Sequence, residues 1–468
     1  MLNPSAVLYG PHDVRIEDRP VPEPAPGQVL VVIAAVGICG SDVHYYEHGR
    51  IGDYVVRDPM IIGHESAGTV VDVGDGVDRN RVGELVALEP GVPCRTCTQC
   101  LRGRYNLCPR VVFFATPPVD GSISHYVAID SAFAHSAPLG LTAEQAAMAE
   151  PVSVGIWAAR KIGVTGGDRV LITGAGPIGL LAGQVARALG ADTPVVTDVS
   201  GFRLARARDL GLRTAQAGTP LEEEFDVLLE CSGAPAALTS GMRALAPAGR
   251  VALVGMGADT VTLNVALTQG RELSVTGVFR YTNTYPLALQ LISSGAVNVT
   301  DVITHRFTLQ DTERALTISR TDPSSLKAMV YTAHRTQAVG GRHDTHTIEE
   351  ELAMTGADDP HPMSPGMPPA CGHKVRAEFD HPVMRDDFVA DLSGNSGHRL
   401  LEFQPQVIIN TKGQVELHLT VPGPDVWTSL LTAMAVIRQS GYAPIAVHVL
   451  DKPESRTIPV QAPGNDSN

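Results

Sequence analysis

From Arg169 to Asp198 the chain reads R-V-L-I-T, then Gly174-Ala175-Gly176-Pro177-Ile178-Gly179, then a helical run to Leu189, then P-V-V-T-D. The pattern G-x-G-x-x-G is weak alone. Here it follows a strand and opens a helix, the context that makes it a dinucleotide loop. The first two glycines permit a tight turn and the close approach of a pyrophosphate, which the free N–H groups of the helix start would hold. Gly179 lets the helix pack on the strand. Ile178, Leu181, Ala182, Val185 and Leu189 form one apolar stripe at helical spacing, and Gly190 stops the helix. Asp198 ends the second strand, 19 residues past Gly179. Its carboxylate is placed to accept from ribose hydroxyls and would repel a 2′-phosphate, which favours NAD over NADP. Arg203, five residues on, can hold a phosphate or stack on adenine. A plain βαβ turn with an exposed aspartate is the bland alternative.

A second cluster is as restrictive. Cys94, Cys97, Cys100 and Cys108 place four of the seven cysteines within 15 residues. In a reducing compartment such a set is a metal site before it is a disulfide set. Zinc takes four soft ligands in a tetrahedron, and a short turn-rich loop can wrap one ion. A closed four-thiolate site leaves no room for a substrate, so its expected role is structural. The remaining cysteines are Cys39, Cys231 and Cys371.

Residues 61–68 read I-I-G-H-E-S-A-G, with His64 and Glu65 adjacent. Neighbours on a regular strand point to opposite faces, so one ion takes both only at a bend, which the glycines allow. Other ligands must come from elsewhere. Cys39, at the end of an apolar run in V-G-I-C-G-S-D, is the nearest unassigned thiol. Glu150 is a further candidate, because it lies in A-M-A-E-P-V-S-V-G, where an unpaired carboxylate is costly to bury. A Cys/His/Glu set with an open position is a catalytic arrangement for zinc. A lone His or Glu beside glycine is more often a turn residue.

The chain has 468 residues, 44 % hydrophobic and 18 % charged, with net charge −14. That suits two or three globular domains, and it argues against nucleic acid or an anionic membrane as partner. A basic leader followed by an apolar run is missing, as is any stretch of about 18 apolar residues, so a cytoplasmic protein is expected. Residues 1–155 hold short apolar runs, such as 28–36 and 68–74, broken by turn residues, and read as mostly β. Residues 156–294 alternate strand-like and helical runs, with F-D-V-L-L-E at 225–230 and a helix near 234–246. This predicts a parallel sheet with crossover helices. Residues 291–331 read as helix, then an extended L-K-A-M-V-Y. The polar stretch 336–400 reads as a linker open to disorder. Residues 401–468 read as a small α+β piece. It has a hairpin (Q-V-I-I-N, then Q-V-E-L-H-L-T-V), a helix capped by Asp425 with Trp427, Leu430, Leu431 and Met434 on one face, and a last strand A-P-I-A-V-H-V-L. Cys371 and His373 are the one metal-like pair there. An accessory domain, an interaction module and a fusion of unrelated sequence are all open for this extension.

In consistent order, G-I-C-G-S-D-V-H-Y-Y-E-H-G, G-H-E-S-A-G-T-V, the four-cysteine loop, F-F-A-T-P-P-V-D-G, A-E-P-V-S-V-G-I, G-A-G-P-I-G and G-V-F-R-Y-T-N-T-Y-P resemble the zinc-dependent medium-chain dehydrogenases. Within these the resemblance is to the polyol branch, the sorbitol (L-iditol) and xylitol dehydrogenases. It spans about residues 5–331; the rest of the chain departs from the family. It implies an α/β fold in which a mostly-β GroES-like catalytic domain (1–155, completed by about 295–335) is interrupted by a Rossmann doubly wound parallel sheet (156–294). The small C-terminal α+β extension is added to that. NAD, one catalytic and one structural Zn2+, a small-molecule polyol substrate, and a homodimer or homotetramer are also implied, with no nucleic-acid or membrane partner.

The same resemblance implies roles. Cys39, His64 and Glu65 match the catalytic zinc ligands, and Cys94, Cys97, Cys100 and Cys108 the structural ones. Glu150 stands where other members carry a cysteine ligand; in the polyol branch a glutamate there holds a water at the metal or approaches the metal itself. Ser41 and His44 match a proton relay through the nicotinamide ribose to solvent. Tyr45, Phe113, Glu150, Arg280 and Tyr281 match the polyol-binding wall. Gly174, Gly176, Ile178, Gly179, Asp198 and Arg203 match cofactor contacts, as do the backbones of Val254, Gly255 and Met256 and of Val278, Phe279 and Arg280. Without the family, Ser41 and Asp42 read as helix caps, Tyr45 and Phe113 as packing, and Arg280 and Tyr281 as a surface pair. The expected reaction is oxidation of a secondary hydroxyl of a polyol to the ketose. Simple secondary alcohols, 2,3-diols and threonine are alternative substrates. A redox sensor or scaffold that binds zinc and dinucleotide without catalysis is the alternative of another class.

Overall fold

The computed structural model describes residues 2–257 and 260–332, and the strands 372–378, 406–409, 415–422, 446–449 and 458–459. The chain divides into two units, Met1–Gly340 and Gly341–Asn468.

The spine of the first unit is the apolar strand Gln28–Gly37. On one edge it pairs antiparallel with Glu65–Val73, which continues to Leu85–Leu88 and Ala134–Ser136. Tyr126–Asp130 takes the first half of its other edge, and Lys327–Tyr331 the last residues. Val31, Ile33, Val36, Val70, Val86 and Leu88 are fully buried between the layers of this sheet. Gly37 therefore sits opposite Glu65 on one side and Met329 on the other. That register carries two distant segments to the end of one strand.

The second sheet is all parallel. Its order is Arg213–Gln216, Val195–Asp198, Val170–Thr173, Phe225–Glu230, Leu245–Leu253 and Ser274–Gly277. Val170, Leu171 and Ile172 are buried on both faces, as strands covered by crossover helices must be. The strand order reverses at Val170–Thr173, and ligands of such sheets bind at the carboxyl ends of the strands flanking that reversal. The helix Pro177–Ala188 follows, with Pro177 at its first turn. Leu181, Ala182 and Val185 of the expected stripe are fully buried, while Ile178 and Leu189 are half-buried at its ends. The helix Ala149–Lys161 packs on it so closely that a Cβ on Gly155 would lie 3.0 Å from the Ala182 Cα. Beyond the parallel sheet, Ile303–Thr308 and Lys327–Tyr331 return the chain to the first sheet.

The described strands of the second unit form one antiparallel sheet, in the order Gln406–Ile409, Val415–Pro422, Gly372–Glu378, Ala446–Val449, Ile458–Pro459. The expected hairpin is there. Two expectations are corrected. The stretch 336–400, read as linker, supplies the central strand, and a further strand follows Ala446–Val449. Gly372–Glu378 is charged and short, and its partners lie far along the chain, so no local pattern marks it. The helix expected after Asp425 and Cys371 lie outside the described residues. Among the described residues no helix is long and apolar enough to cross a membrane.

Candidate active site

Cys39 ends the run from the spine strand and caps the helix Gly40–His48. Asp42, at the third position of that helix, reaches back so that its Oδ2 accepts the Cys39 N–H at 2.9 Å. Its Oδ1 accepts the Gly63 N–H at 3.1 Å and lies 3.5 Å from His64 Nδ1. Gly63 has φ 88°, and a Cβ there would meet Ile123 at 2.4 Å. This bend lies immediately before His64, and only glycine fits it. One ligand atom each from Cys39, His64 and Glu65 lies within 4.8 Å of the others. His64 is 7 % exposed and Glu65 1 %.

This donor set fits a metal. A thiol, an imidazole and a carboxylate converge in a dry place, and Glu65 Oε2 has no well-formed hydrogen bond among the described residues. It faces the Lys327 ammonium in a buried ion pair, while Lys327 Nζ donates to the Ile38 carbonyl at 2.9 Å. Burial opposes the imidazolium of His64, but Asp42 and Cys39 outweigh it and hold its pKa above the ordinary value. A carboxylate on the far nitrogen also fixes ring orientation and tautomer in metal-ligating histidines.

Glu150 lies in the first turn of Ala149–Lys161 and is 5 % exposed. Burial pushes its carboxyl up to about 7, with His64 opposing and Glu65 adding to the shift. The buried Tyr281 hydroxyl faces the Glu150 carboxyl, and the carboxyl's charge helps hold the Tyr281 pKa well above the ordinary value, after burial. The Phe113 ring lies 5.9 Å from the His64 ring, and the Arg280 guanidinium stacks over Phe113 at 3.7 Å and near Phe279 at 4.8 Å. Arg280 also points Nη2 at Thr116 Oγ1, 3.4 Å away. Phe113 and Arg280 thus form one wall beside the metal-type cluster. Tyr45 is packed into the β core at 4 % exposure, and burial raises its pKa to about 12. Ser41 and His44 are three apart on the helix Gly40–His48, on one side of it, and the His44 ring lies edge-on to His48 at 4.6 Å.

The glycine loop borders a cleft of about 610 Å³ lined by Gly174, Gly176, Asp198, Val199 and Arg203, among others. Gly174 has φ 94°, and a Cβ on Gly179 would fall 1.9 Å from the Gly174 carbonyl oxygen. By contrast, nothing lies within 4 Å of a Cβ on Gly176, which is the open approach a pyrophosphate needs. Asp198 also staples the loop, since its oxygens accept the Ala175 N–H at 2.7 Å and the Ser200 N–H at 2.8 Å. The N–H groups of Val254 and Gly255 are taken by the Glu230 carbonyl. Carbonyls are therefore what that edge offers a cofactor, while the Met256 and Phe279 side chains stand exposed. Val278 donates its N–H to Leu253.

Cys94, Cys97, Cys100 and Cys108 meet in a separate lobe. The Sγ atoms of Cys97 and Cys100 are 3.4 Å apart and those of Cys94 and Cys100 3.9 Å. Four thiolates about 2.3 Å from a tetrahedral zinc would be about 3.8 Å apart, so this set fits that ion. Hydrogen bonds from Thr96 lower the Cys94 thiol to about 5, toward the thiolate a metal requires.

Sequence reasoning missed two residues of the site. Asp42 was visible only as a helix cap. Lys327 was read as part of a strand, although a lysine inside L-K-A-M-V-Y is itself a signal that an anion waits there.

Comparison with known proteins agrees with this geometry. The alcohol dehydrogenase GroES-like domain matches residues 25–139, and the zinc-binding dehydrogenase domain matches 177–294. Sorbitol dehydrogenase of Mus musculus is 44 % identical over 321 residues, 66 % of this chain and 90 % of that protein. That of Bos taurus is 43 % identical over 331 residues, 68 % and 93 %. Among solved structures, L-idonate 5-dehydrogenase from Escherichia coli matches with TM-score 0.67 at 29 % identity, and 2R,3R-butanediol dehydrogenase from Bacillus subtilis with 0.65 at 28 %. Each match covers 71 % of this chain, with 99 % and 100 % of the respective structures. The chain belongs to the zinc-dependent medium-chain dehydrogenases, on their polyol branch.

Proposed function

We propose that this chain oxidises a secondary hydroxyl of an open-chain polyol of the sorbitol or xylitol type to the ketose, with NAD as hydride acceptor. The observation that carries the reading is the Cys39, His64 and Glu65 cluster beside the wall of Phe113 and Arg280. Cys39, His64 and Glu65 would hold the catalytic zinc, and the four-cysteine lobe the structural one. When bound, zinc supplies Lewis-acid polarisation of the hydroxyl and NAD takes the hydride. The chain's own residues do the rest. Asp42 and Lys327 fix the ligands. Arg280 and Tyr281 hydrogen-bond further hydroxyls, and a site built that way discriminates strongly against analogues lacking them. Phe113 and Tyr45 keep water out. Ser41 and His44 pass the substrate proton outward, and Glu150, near neutrality in its pKa, can take or return a proton at its carboxyl. Gly174, Gly176, Ile178, Gly179, Asp198 and Arg203 bind the dinucleotide. An assembly of two or four copies, a cytoplasmic location, and the division into catalytic and cofactor domains near residues 155 and 294 belong to the same reading.

The test is NADH formation with sorbitol or xylitol, followed in wild type, His64→Ala and Glu65→Gln. Turnover should be lost in both variants while NAD affinity stays within a factor of about two. A panel with a simple secondary alcohol, a 2,3-diol and threonine separates the substrate classes. Normal turnover in either variant with zinc retained removes the ligand role of that residue. Silence across the panel would favour a binding protein over an enzyme.

A further inference from the structure

The segment 279–283 carries Arg280 and Tyr281 toward the site. Its backbone is strained, since Arg280 and Asn283 are non-glycine residues in the left-handed region, with φ 51° and 53°. Such a conformation persists only where the surroundings hold it. Arg160 holds one point, donating to the Asn283 carbonyl at 2.9 Å. Three further ties come from the four-cysteine lobe. Asn106 Nδ2 donates to the Phe279 carbonyl at 2.8 Å, Thr282 Oγ1 donates to the Gly103 carbonyl at 3.1 Å, and the Asn283 N–H donates to Tyr105 Oη at 2.8 Å. Asn106 and Thr282 are buried, at 6 % and 3 % exposure, so neither bond is readily replaced by water. Gly103, Tyr105 and Asn106 all lie between Cys100 and Cys108, in a stretch with one four-residue helix and one three-residue turn. Closure of the cysteines around an ion is what would keep that stretch in place.

We propose that the four-cysteine lobe is a positioning element for the substrate. Through Gly103, Tyr105 and Asn106 it sets the backbone from which Arg280 and Tyr281 reach the site. The inference rests on the reading of Arg280 and Tyr281 as polyol contacts. None of the three lobe residues touches the reacting atoms, so their loss acts on substrate affinity before chemistry.

The test uses the full zinc-loaded chain and two variants, Asn106→Ala and Thr282→Val. Hydrogen–deuterium exchange of peptides spanning 279–283 is read together with the steady-state constants. Exchange there should quicken in both variants. KM for the polyol should rise about tenfold for each buried hydrogen bond lost, with zinc content near wild type. Unchanged exchange overturns the proposal, and so does quickened exchange with an unmoved polyol KM. Thr282→Val preserves shape and keeps the test decisive if Asn106→Ala does not fold. The exchange reading needs no turnover, so a wild type inactive on polyols refutes the proposed function while the clamp is still decided.

Discussion

Replacing Lys327 by Met tests how the cluster of Cys39, His64 and Glu65 is balanced electrically. Lys327 is 3 % exposed, faces Glu65 at 1 %, and donates to the Ile38 carbonyl at 2.9 Å. Burial works against its charge, but Glu65 and Cys39 outweigh burial and keep its pKa above the ordinary value, so it is a cation at neutral pH. Methionine fills nearly the same space without charge. Removing one partner of a buried pair costs about 3–5 kcal/mol, because the other charge is left uncompensated. That cost belongs to the metal-free chain. With a cation at Glu65 the carboxylate keeps a positive neighbour, and the loss shrinks to about 1 kcal/mol for the Ile38 hydrogen bond. For a unit the size of Met1–Gly340, an unfolding entropy of about 2.1 cal/mol/K per residue makes 1 kcal/mol worth about 1.4 °C. Lys327→Met should therefore lower Tm by about 4–7 °C without zinc and by about 1–2 °C with it, so the zinc-induced rise in Tm widens. Calorimetry at pH 7.5, on zinc-loaded and chelator-treated samples, reads both numbers. Equal losses in the two forms would refute the reasoning, since Lys327 would then not be compensating Glu65.

Other outcomes follow from particular contacts. Asp42→Asn should weaken zinc at the Cys39, His64 and Glu65 cluster by about 10- to 100-fold, because the charge behind His64 is lost; competition with a chromophoric chelator measures it. Gly179→Ala places a Cβ 1.9 Å from the Gly174 oxygen. The loop must then move, and NAD affinity should fall about tenfold or more with zinc content unchanged. Arg169 holds the Asp226 carboxyl below its usual pKa. A depressed folded pKa gives stability that is present above the unfolded value of about 3.9 and lost as pH falls through the folded one. Both side chains are a third or more exposed, so Arg169→Ala should cost under about 1 kcal/mol at pH 7. That cost should shrink as pH falls below about 3.9 in urea titrations, and a cost that does not change with pH would mean packing, not charge.

What was legible in the sequence was whatever is local. The glycine loop, the helix behind it and the strand Phe225–Glu230 are set by neighbours within a few residues, and they stand where periodicity placed them. The four cysteines were legible for the same reason. The cluster of Cys39, His64 and Glu65 was not, because its parts meet only through the register of Gly37 with Glu65 and the bend at Gly63. Spacing could nominate Cys39, His64, Glu65 and Glu150 one at a time but could not join them. Gly372–Glu378 failed from the same cause, as its sheet partners lie at Val415–Pro422 and Ala446–Val449. Buried charge offers a way past that limit. Glu150 and Lys327 each interrupt an apolar stretch, and burying either alone costs several kcal/mol. An acid and a base that must both be buried and cannot be buried unpaired demand company in the interior, and Glu65, beside a metal-type histidine, is the group they share. Read as constraints, two such misfits in sequence point to one place in the fold before any coordinate is known. Tyr45 carries no such penalty, which is why its packing role and a role at the site looked alike from sequence.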